Sequence, residues 1–504
     1  MFKKVLIANR GEIAIRVIRC LREHGIESVA VYSDPDRHSL AVRWAHEAVH
    51  LPGTLSADTY MNIERVIEAA KRTGCEAIHP GYGFLSEKAE FSKACRDAGI
   101  TFIGPHPDSI SQMGDKTTAR ALMMEAGVPV TPGFQNENCD REEAYAAARE
   151  IGFPVMLKAS AGGGGKGMRL VRDPEEFRSA YDLAASEAAS AFGDDRVYVE
   201  KLIENPRHIE VQIACDKHGN AIHLGERECS VQRRHQKVVE EAPSPAVTPE
   251  IRERIGQIAV RAAQAVDYDS VGTVEFLMDP DGNFYFMEMN TRLQVEHPVT
   301  EWITGVDLVR LQLQIAAGEK LPFTQDDIQI SGHAIECRVY AEDPEKNFMP
   351  SPGKITKLMT PSGLGVRDDS GVYAGYEVPI YYDPMISKLT TWGKDREEAT
   401  ARMSRALGEY KVGGIRTNLW FHRALMQHPD WQAANLDTGF IERHPELLVK
   451  GQNEDHLHMA LIAAAIRQYR DEVKSVTRQG QAATETSNQW KASARLAVMR
   501  HRSL

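Results

Sequence analysis

Glu288-Met-Asn-Thr-Arg-Leu-Gln-Val-Glu-His-Pro298 gathers two carboxylates, an amide, a guanidinium and an imidazole within eleven residues. The run before it, Asn283-Phe-Tyr-Phe-Met-Glu288, is aromatic and unbranched and reads as a buried strand. Side chains alternate along a strand, so Glu288 and Asn290 point to one face. Upstream, Gly272-Thr-Val-Glu-Phe-Leu-Met278 reads as a second strand, and Asp279-Pro-Asp-Gly282 is the turn between them. Such a hairpin brings Glu275 opposite Glu288. Two acids set in apolar strands are costly to bury unless a cation compensates them. Oxygen-only ligands suit Mg²⁺ holding phosphates.

The size of the chain, 504 residues, suggests two to four domains. Its composition, 42% hydrophobic and 26% charged, is that of an ordinary soluble protein. A net charge of −11 argues against a general nucleic-acid binder. Met1-Phe-Lys-Lys-Val-Leu-Ile-Ala-Asn9 reads as a strand rather than a signal peptide, because Asn9-Arg-Gly-Glu12 interrupts a short apolar run. No apolar run approaches the roughly 20 residues that span a bilayer. Cysteines 20, 75, 95, 139, 215, 229 and 337 are scattered, with no Cys-x-x-Cys pair. They read as reduced thiols of a cytoplasmic protein.

From the N-terminus, residues 3–9 form a buried strand. Gly11 opens a helix with Ile13, Ala14, Val17, Ile18 and Leu21 on one stripe, ending at Gly25. Strands follow at Glu27–Tyr32, Ala77–His79 and Thr101–Ile103, with helices near 60–71 and 87–97. This alternation predicts a parallel sheet. No G-x-G-x-x-G follows its first strand, so a dinucleotide site is a weak reading. Asn9-Arg-Gly-Glu12 and His79-Pro-Gly-Tyr-Gly-Phe84, which contains Tyr82, sit at strand C-termini, where such sheets place ligands.

Beyond Gly104-Pro-His-Pro107, Met113-Gly-Asp-Lys116 begins a helical stretch to Ala126, and Gly127–Gly133 is a stiff linker. Val155-Met-Leu-Lys158 is a strand running into Ala161-Gly-Gly-Gly-Gly-Lys-Gly167. Consecutive glycines let backbone N–H groups approach an anion and make a mobile lid. This is not a Walker A loop, because Gly167 follows Lys166. Arg196–Glu200 is a strand, and Glu200-Lys201-Leu202-Ile203 is either a plain strand end or a stretch that offers backbone hydrogen bonds and an apolar wall to an adenine. His208–Ile213 alternates as a half-buried strand with His208 and Glu210 on one side. Arg233, Arg234, His235 and Lys237 put four potential cations in five positions. A charge run is usually a solvated face, but strand residues flank this one, and that favours an anion pocket. His333–Tyr340 alternates strongly, with Arg338, Glu336 and Tyr340 on one face. Gly353–Met359, Gly371–Ile380 and Ser387–Thr391 read as strands and 396–410 as a helix, together an α+β cap. The tail carries a helical pattern at Leu457–Val473, a polar joint at Gln479–Asn488, and Trp490-Lys-Ala-Ser-Ala-Arg-Leu.

Taken together, the chain resembles the biotin carboxylase family of ATP-grasp enzymes, from Val5 to about residue 446. The most specific segments are His79-Pro-Gly-Tyr-Gly-Phe-Leu-Ser-Glu87, Met113-Gly-Asp-Lys116, Lys158-Ala-Ser-Ala-Gly-Gly-Gly-Gly-Lys-Gly167 and Glu288–Pro298. The resemblance implies an α/β and α+β multidomain fold. It comprises an N-terminal Rossmann-like domain (1–112), an ATP-grasp domain with a glycine-rich lid (113–330), a C-terminal biotin carboxylase domain (331–446) and a helical tail (447–504). It also implies a ligase reaction in which ATP activates bicarbonate as carboxyphosphate, whose CO₂ is passed to N1′ of biotin.

On that resemblance, Lys116 and Lys158 hold the nucleotide phosphates, and Gly164 and Gly165 close over them. Glu200, Lys201, Leu202 and Ile203 meet the adenine, and His208 and His235 serve ribose and phosphates. Tyr82 joins the ligand-binding set. Glu275, Glu288 and Asn290 carry two Mg²⁺ or Mn²⁺ ions. Lys237, Arg292, Gln294 and Val295 seat bicarbonate, Glu296 is the base, and Arg338 stabilises the biotin enolate. A permanent cation suits an enolate, and a guanidinium holds a planar anion in two directions. Ser160-Ala161 ahead of the glycines, and Lys166 where Arg is also common, are departures that remove no required group.

The partners implied are a second copy of the chain, a biotin carboxyl carrier protein and a separate carboxyltransferase. Carriers of this kind bear biotin on a lysine between two methionines, and no Met-Lys dipeptide occurs in these 504 residues. Acetyl-CoA, propionyl-CoA, pyruvate and 2-oxoglutarate systems share this component. Two other classes stay open: a different ATP-grasp ligase, such as a carbamoyl-phosphate-forming one, and a nucleotide-binding regulatory protein that has lost chemistry. The first gives no purpose to Arg338 and Glu296; the second usually shows damage at the metal or base positions, and none is visible.

Overall fold

The computed structural model describes residues 1–134, 140–159, 168–192, 194–450 and 462–470. The first parallel sheet is built from β1 (Lys4–Ile7), β2 (Glu27–Tyr32), β3 (Glu47–His50), β4 (Ala77–His79) and β5 (Thr101–Phe102), in the order β3-β2-β1-β4-β5. Every pairing in it is parallel. The predicted strands and helices are present; β3 is additional. It is a short edge strand with two exposed residues, so its sequence carries little apolar signal. The helix Gly11–Glu23 buries Ile13, Ala14, Val17, Ile18 and Leu21, the predicted stripe. At the ligand end of the sheet, Asn9 Nδ2 donates to Pro80 O at 2.7 Å and Tyr82 O at 2.8 Å. Gly81 lies between them with φ +63°, and a Cβ there would meet Asn9 Nδ2 at 2.8 Å. That close approach fixes the glycine.

A second, four-stranded sheet has the order β6-β9-β7-β8. Its strands are β6 (Gly133–Phe134), β7 (Val155–Ala159), β8 (Met168–Val171) and β9 (Val197–Lys201). The helices Arg141–Ile151 and Phe177–Phe192 cover it, burying Val155, Leu157, Phe177 and Val199 in one core. The glycine run with Gly164 and Gly165 lies outside the described residues, as do Cys139, the polar joint and the Trp490 segment.

The third sheet positions the site. It runs through β10 (Arg207–Cys215), β11 (Ala221–Arg233), β12 (Gln236–Ala242), β13 (Val271–Met278), β14 (Phe284–Asn290) and β15 (His333–Tyr340), then the strands Met385–Gly393 and Val366–Ser370. The order is β14-β13-β10-β11-β12-β15, followed by those two strands. The third region also continues this sheet: β15 pairs with β12, Val239 against Cys337 and Glu240 against Glu336. Strand β10 is buried on both faces, not one. Ile209, Val211 and Ile213 pack with Ile255, Ile258 and Ala259 of the helix Pro249–Gln264, while His208, Glu210 and Gln212 are buried on the other side.

Two further expectations are corrected. Gly353–Met359 splits into Gly353–Lys354 and Lys357–Met359, and of Gly371–Ile380 only Glu377–Val378 is strand. The strand lies just before it, at Val366-Arg-Asp-Asp-Ser370. Its acids argue against a strand, but Arg367 NH2 pairs with Asp369 at 2.6 Å and Arg367 NH1 with Glu301 at 2.7 Å. Residues 1–448 form one compact unit and 449–504 another. In the second unit, residues 462–470 are helical and solvent-exposed throughout. Among the described residues, no helix is long and apolar enough to cross a membrane.

Candidate active site

Strand register sets one row of charge across four neighbouring strands. Arg227 of β11 faces Glu210 of β10, Glu210 faces Glu275 of β13, and Glu275 faces Glu288 of β14. The predicted hairpin is present, with Gly282 turning at φ +81°. A bulge at Met287 makes it work. Phe276 pairs with Phe286, while the neighbouring Glu275 pairs with Glu288, skipping one residue of β14. Strict alternation would put Phe286 and Glu288 on one face. The bulge sends Phe286 into the apolar core and Glu288 to the charged side.

Three carboxylates in a row repel one another unless cations intervene. Lys237 of β12 supplies one. Its Nζ donates to Glu210 Oε2, to Glu275 Oε1 at 2.8 Å and to Glu296 Oε1 at 2.7 Å. Burial pulls this ammonium toward neutrality, but the three carboxylates outweigh it and hold it charged well above the usual lysine range. Glu296 then gives its other oxygen to Arg338 NH2 at 3.0 Å, and Arg338 Nε donates to Glu240 Oε1 at 2.6 Å. Burial favours a neutral Glu296, yet Lys237, Arg338 and Arg227 keep it ionised well below the ordinary range. Glu240 goes the other way: burial, only partly offset by Arg338, pushes its carboxyl up to about 7.

Donors converge on one further atom. Glu275 Oε1 accepts from Gln294 Nε2 at 2.6 Å and Asn290 Nδ2 at 2.9 Å, besides Lys237. His208 Nε2 stands 2.9 Å from the other oxygen. Against the cost of burial, Lys237 and then His208 keep Glu275 ionised below its usual range. Arg292 NH2 donates to Asn290 Oδ1 at 2.8 Å, and its Nε lies 3.0 Å from Glu87, which brings the His79–Glu87 segment to the site. Val295 presents its carbonyl to the buried Lys388 Nζ at 2.8 Å. The loop 291–296 is held between the sheet and the helix His297–Thr304 that follows it.

The remaining expected residues form other groups. Lys158 pairs with Glu200, which also meets Arg120 NH1 at 3.4 Å. Lys201 Nζ donates to Gly152 O at 2.9 Å and Phe153 O at 3.1 Å, so this side chain points away from a base. Leu202 and Ile203 are half-buried beside it, and Lys116 is exposed at the start of the helix Lys116–Glu125. Tyr82 lies with its ring centroid 5.7 Å from Lys388 Nζ. The run Arg233–Lys237 divides. Arg234 and His235 form the exposed two-residue turn between β11 and β12, both at positive φ, and Arg233 stacks on Phe348. Only Lys237 enters the buried cluster. His235 is not brought to it.

Sequence reasoning missed Arg227, Glu240, Glu87 and Lys388, and read Glu210 only as a neighbour of His208. A usable signal was present: Glu226-Arg-Glu228 interrupts a 13-residue strand whose central residues are all buried. Charges inside such a strand have to be paired.

The donor set also fits a divalent cation. Glu288 makes no hydrogen bond or ion pair among the described residues, although its carboxylate opposes Glu275. It is accessible to solvent, yet the surrounding protein and then Glu275 push it above the ordinary range, with Lys116 opposing. Two facing carboxylates with an amide oxygen beside them are hard oxygen ligands of the kind Mg²⁺ takes.

Three family profiles match in succession: "Biotin carboxylase, N-terminal domain" over 1–110, "Carbamoyl-phosphate synthase L chain, ATP binding domain" over 115–324, and "Biotin carboxylase C-terminal domain" over 336–443. The biotin carboxylase of a Nostoc strain is 54% identical over 441 residues, 88% of this chain and 99% of the relative. Biotin carboxylase 1 of Bacillus subtilis is 53% identical over 445 residues, 88% of this chain and 99% of the relative. A pyruvate carboxylase component of Methanothermobacter thermautotrophicus is 55% identical over 444 residues, 88% of this chain and 90% of the relative. Among solved structures, the biotin carboxylase domain dimer of Hydrogenobacter thermophilus 2-oxoglutarate carboxylase, in complex with MgADP, ADP and bicarbonate, superposes with a TM-score of 0.84. It is 50% identical and covers 90% of this chain and 100% of that one.

Proposed function

The chain belongs to the biotin carboxylase family, and from that premise we propose an ATP-dependent ligase that carboxylates biotin with bicarbonate through carboxyphosphate. One observation carries the reading: the Glu296 carboxylate lies with one oxygen on Lys237 and the other on Arg338. It therefore borders both an anion site and a cation suited to a biotin enolate.

Bicarbonate is seated by Lys237, Arg292, Gln294 and the Val295 backbone. When it takes Lys237 as its partner, Glu296 loses the strongest of the three cations that hold its proton affinity down. Its basicity rises where the bicarbonate proton has to be taken. The bicarbonate oxygen then forms a bond to the γ-phosphorus of ATP, and the bond to ADP breaks. Divalent cations on Glu275, Glu288 and Asn290 supply charge neutralisation for that transfer. Lys116, Lys158 and His208 steady the nucleotide phosphates and ribose, with His235 contributing from the hairpin tip; Gly164 and Gly165 lie outside the described residues. Glu200, Leu202 and Ile203 border the base; Lys201 contributes backbone only. Carboxyphosphate releases CO₂ and phosphate, N1′ of biotin gives its proton to that phosphate, and Arg338 holds the enolate while the N–C bond to CO₂ forms.

The biotin-bearing lysine lies outside these 504 residues, on a carrier, and a carboxyltransferase takes the carboxyl group onward. The dimeric structural relative supports a homodimer. The basic residues after Glu485, set against an acidic chain, support a docking role for the tail 447–504. Bicarbonate-dependent ATP hydrolysis, measured with and without free biotin, tests the function. Stimulation by both substrates is expected. An ATPase indifferent to bicarbonate overturns the reading.

A further inference from the structure

Among the described residues, Arg227 is the largest charged side chain sealed from solvent, and nothing in the mechanism above uses it. Arg has five N–H donors, and here each has an acceptor. Nε donates to Glu210 Oε1, NH1 to Gln212 Oε1 at 2.6 Å and Thr300 Oγ1 at 2.9 Å, and NH2 to Thr273 Oγ1 at 3.1 Å and Gln294 Oε1 at 2.7 Å. These acceptors come from β10, β13, the loop 291–296 and the helix His297–Thr304. A guanidinium bonded on every N–H is rigid, and rigidity passes to whatever it touches.

Its effect on Gln294 is specific. A guanidinium only donates, so the amide group meeting it has to present oxygen. The amide nitrogen is thereby forced to the opposite side, where it donates to Glu275 Oε1 beside Lys237 and Asn290. Glu275 favours the same orientation from the other side, so Arg227 and Glu275 hold the amide at both ends; without the guanidinium the oxygen loses its fixed partner and the nitrogen is held from one end only.

We propose that Arg227 is a positioning residue for bicarbonate, fixing the Gln294 amide so that its nitrogen faces the anion. The inference rests on the assignment of Gln294 as a bicarbonate contact. Glu210 contributes by holding the guanidinium in place while sharing Lys237.

The test is a double-mutant cycle on the full chain, with R227K, Q294A and the double variant. Lysine keeps the charge beside Glu210 but loses the planar fork. R227K is expected to raise KM for bicarbonate about tenfold, the scale of one hydrogen bond to a charged group, with KM for ATP moving less than about twofold. In the Q294A background R227K is expected to add nothing to the bicarbonate KM. Independent, additive effects overturn the proposal, as does an unmoved bicarbonate KM in a folded R227K. Should R227K melt below the assay temperature, T273V removes the other acceptor of the same nitrogen without touching charge. A several-fold rise in bicarbonate KM is then expected, and none overturns the proposal. A wild-type chain whose ATP turnover ignores bicarbonate takes down the functional reading and this inference together; an active wild type with an unmoved R227K takes down this one alone.

Discussion

Lys237 donates to Glu296 Oε1 at 2.7 Å from the middle of three buried carboxylates, and Glu296 turns its second oxygen to Arg338. The proposed base and the cation proposed to stabilise the enolate are thus one hydrogen bond apart. Their roles should still separate. E296A should lose bicarbonate-dependent ATP hydrolysis both with and without biotin. R338A should keep the biotin-independent reaction and lose carboxylation. Both rates measured on both variants decide the matter, and loss of the ATPase in R338A refutes the division.

Glu288 faces Glu275 across β13 and β14 and has no protein partner among the described residues. E288Q removes one negative ligand while keeping the shape. Turnover should fall by on the order of a hundredfold or more, with the melting temperature unchanged or raised. Near wild-type turnover at saturating Mg²⁺ would sink the metal assignment.

Glu12 is buried under the site, 3.4 Å from Lys388 Nζ, and neither of its oxygens has a hydrogen-bond partner. Burial, with Lys388 opposing, pushes its carboxyl up to about 7 from an ordinary value of 4.5. The folded state therefore binds this proton more tightly than the unfolded state. Its contribution is fully present below the unfolded value and is lost as pH rises through the folded one. Relative to wild type, E12Q should gain stability between pH 4.5 and 7, by about 3 kcal/mol across that window. Urea unfolding of both proteins at several pH values measures it. A constant difference, or one of opposite slope, contradicts the placement of Glu12.

Biotin should not be found covalently attached to this chain, since it contains no Met-Lys dipeptide. Intact mass or an avidin blot checks this, and a biotinylated chain overturns the separate carrier. Truncation after Lys450 should spare carboxylation of free biotin, because every residue of the site described lies before it. Co-purification with carrier or carboxyltransferase should weaken: after Glu485 the segment carries Lys491, Arg495, Arg500 and Arg502 and no acid, against an acidic body. Unchanged assembly rules out docking through that segment.

Local chemistry determined much of this protein. The turn residues Asp279–Gly282 and the apolar runs beside them specified the hairpin that opposes Glu275 to Glu288. The stripe Ile13 to Leu21 specified the first helix, and alternation specified β15. Tertiary structure decided what lies between segments far apart in the chain. The four cations of Arg233–Lys237 look alike in sequence. A two-residue turn with positive φ at Arg234 and His235 leaves those two outside, stacks Arg233 on Phe348 and sends Lys237 inward. The Met287 bulge reconciles a core Phe286 with a charged-face Glu288, and alternation alone gives no sign of it. That β15 joins β12 depends on a pairing between residues far apart in the chain, such as Glu240 and Glu336. Strand periodicity is local, because side chains alternate at every residue. Pairing order and burial of charge are set by partners the local sequence does not contain.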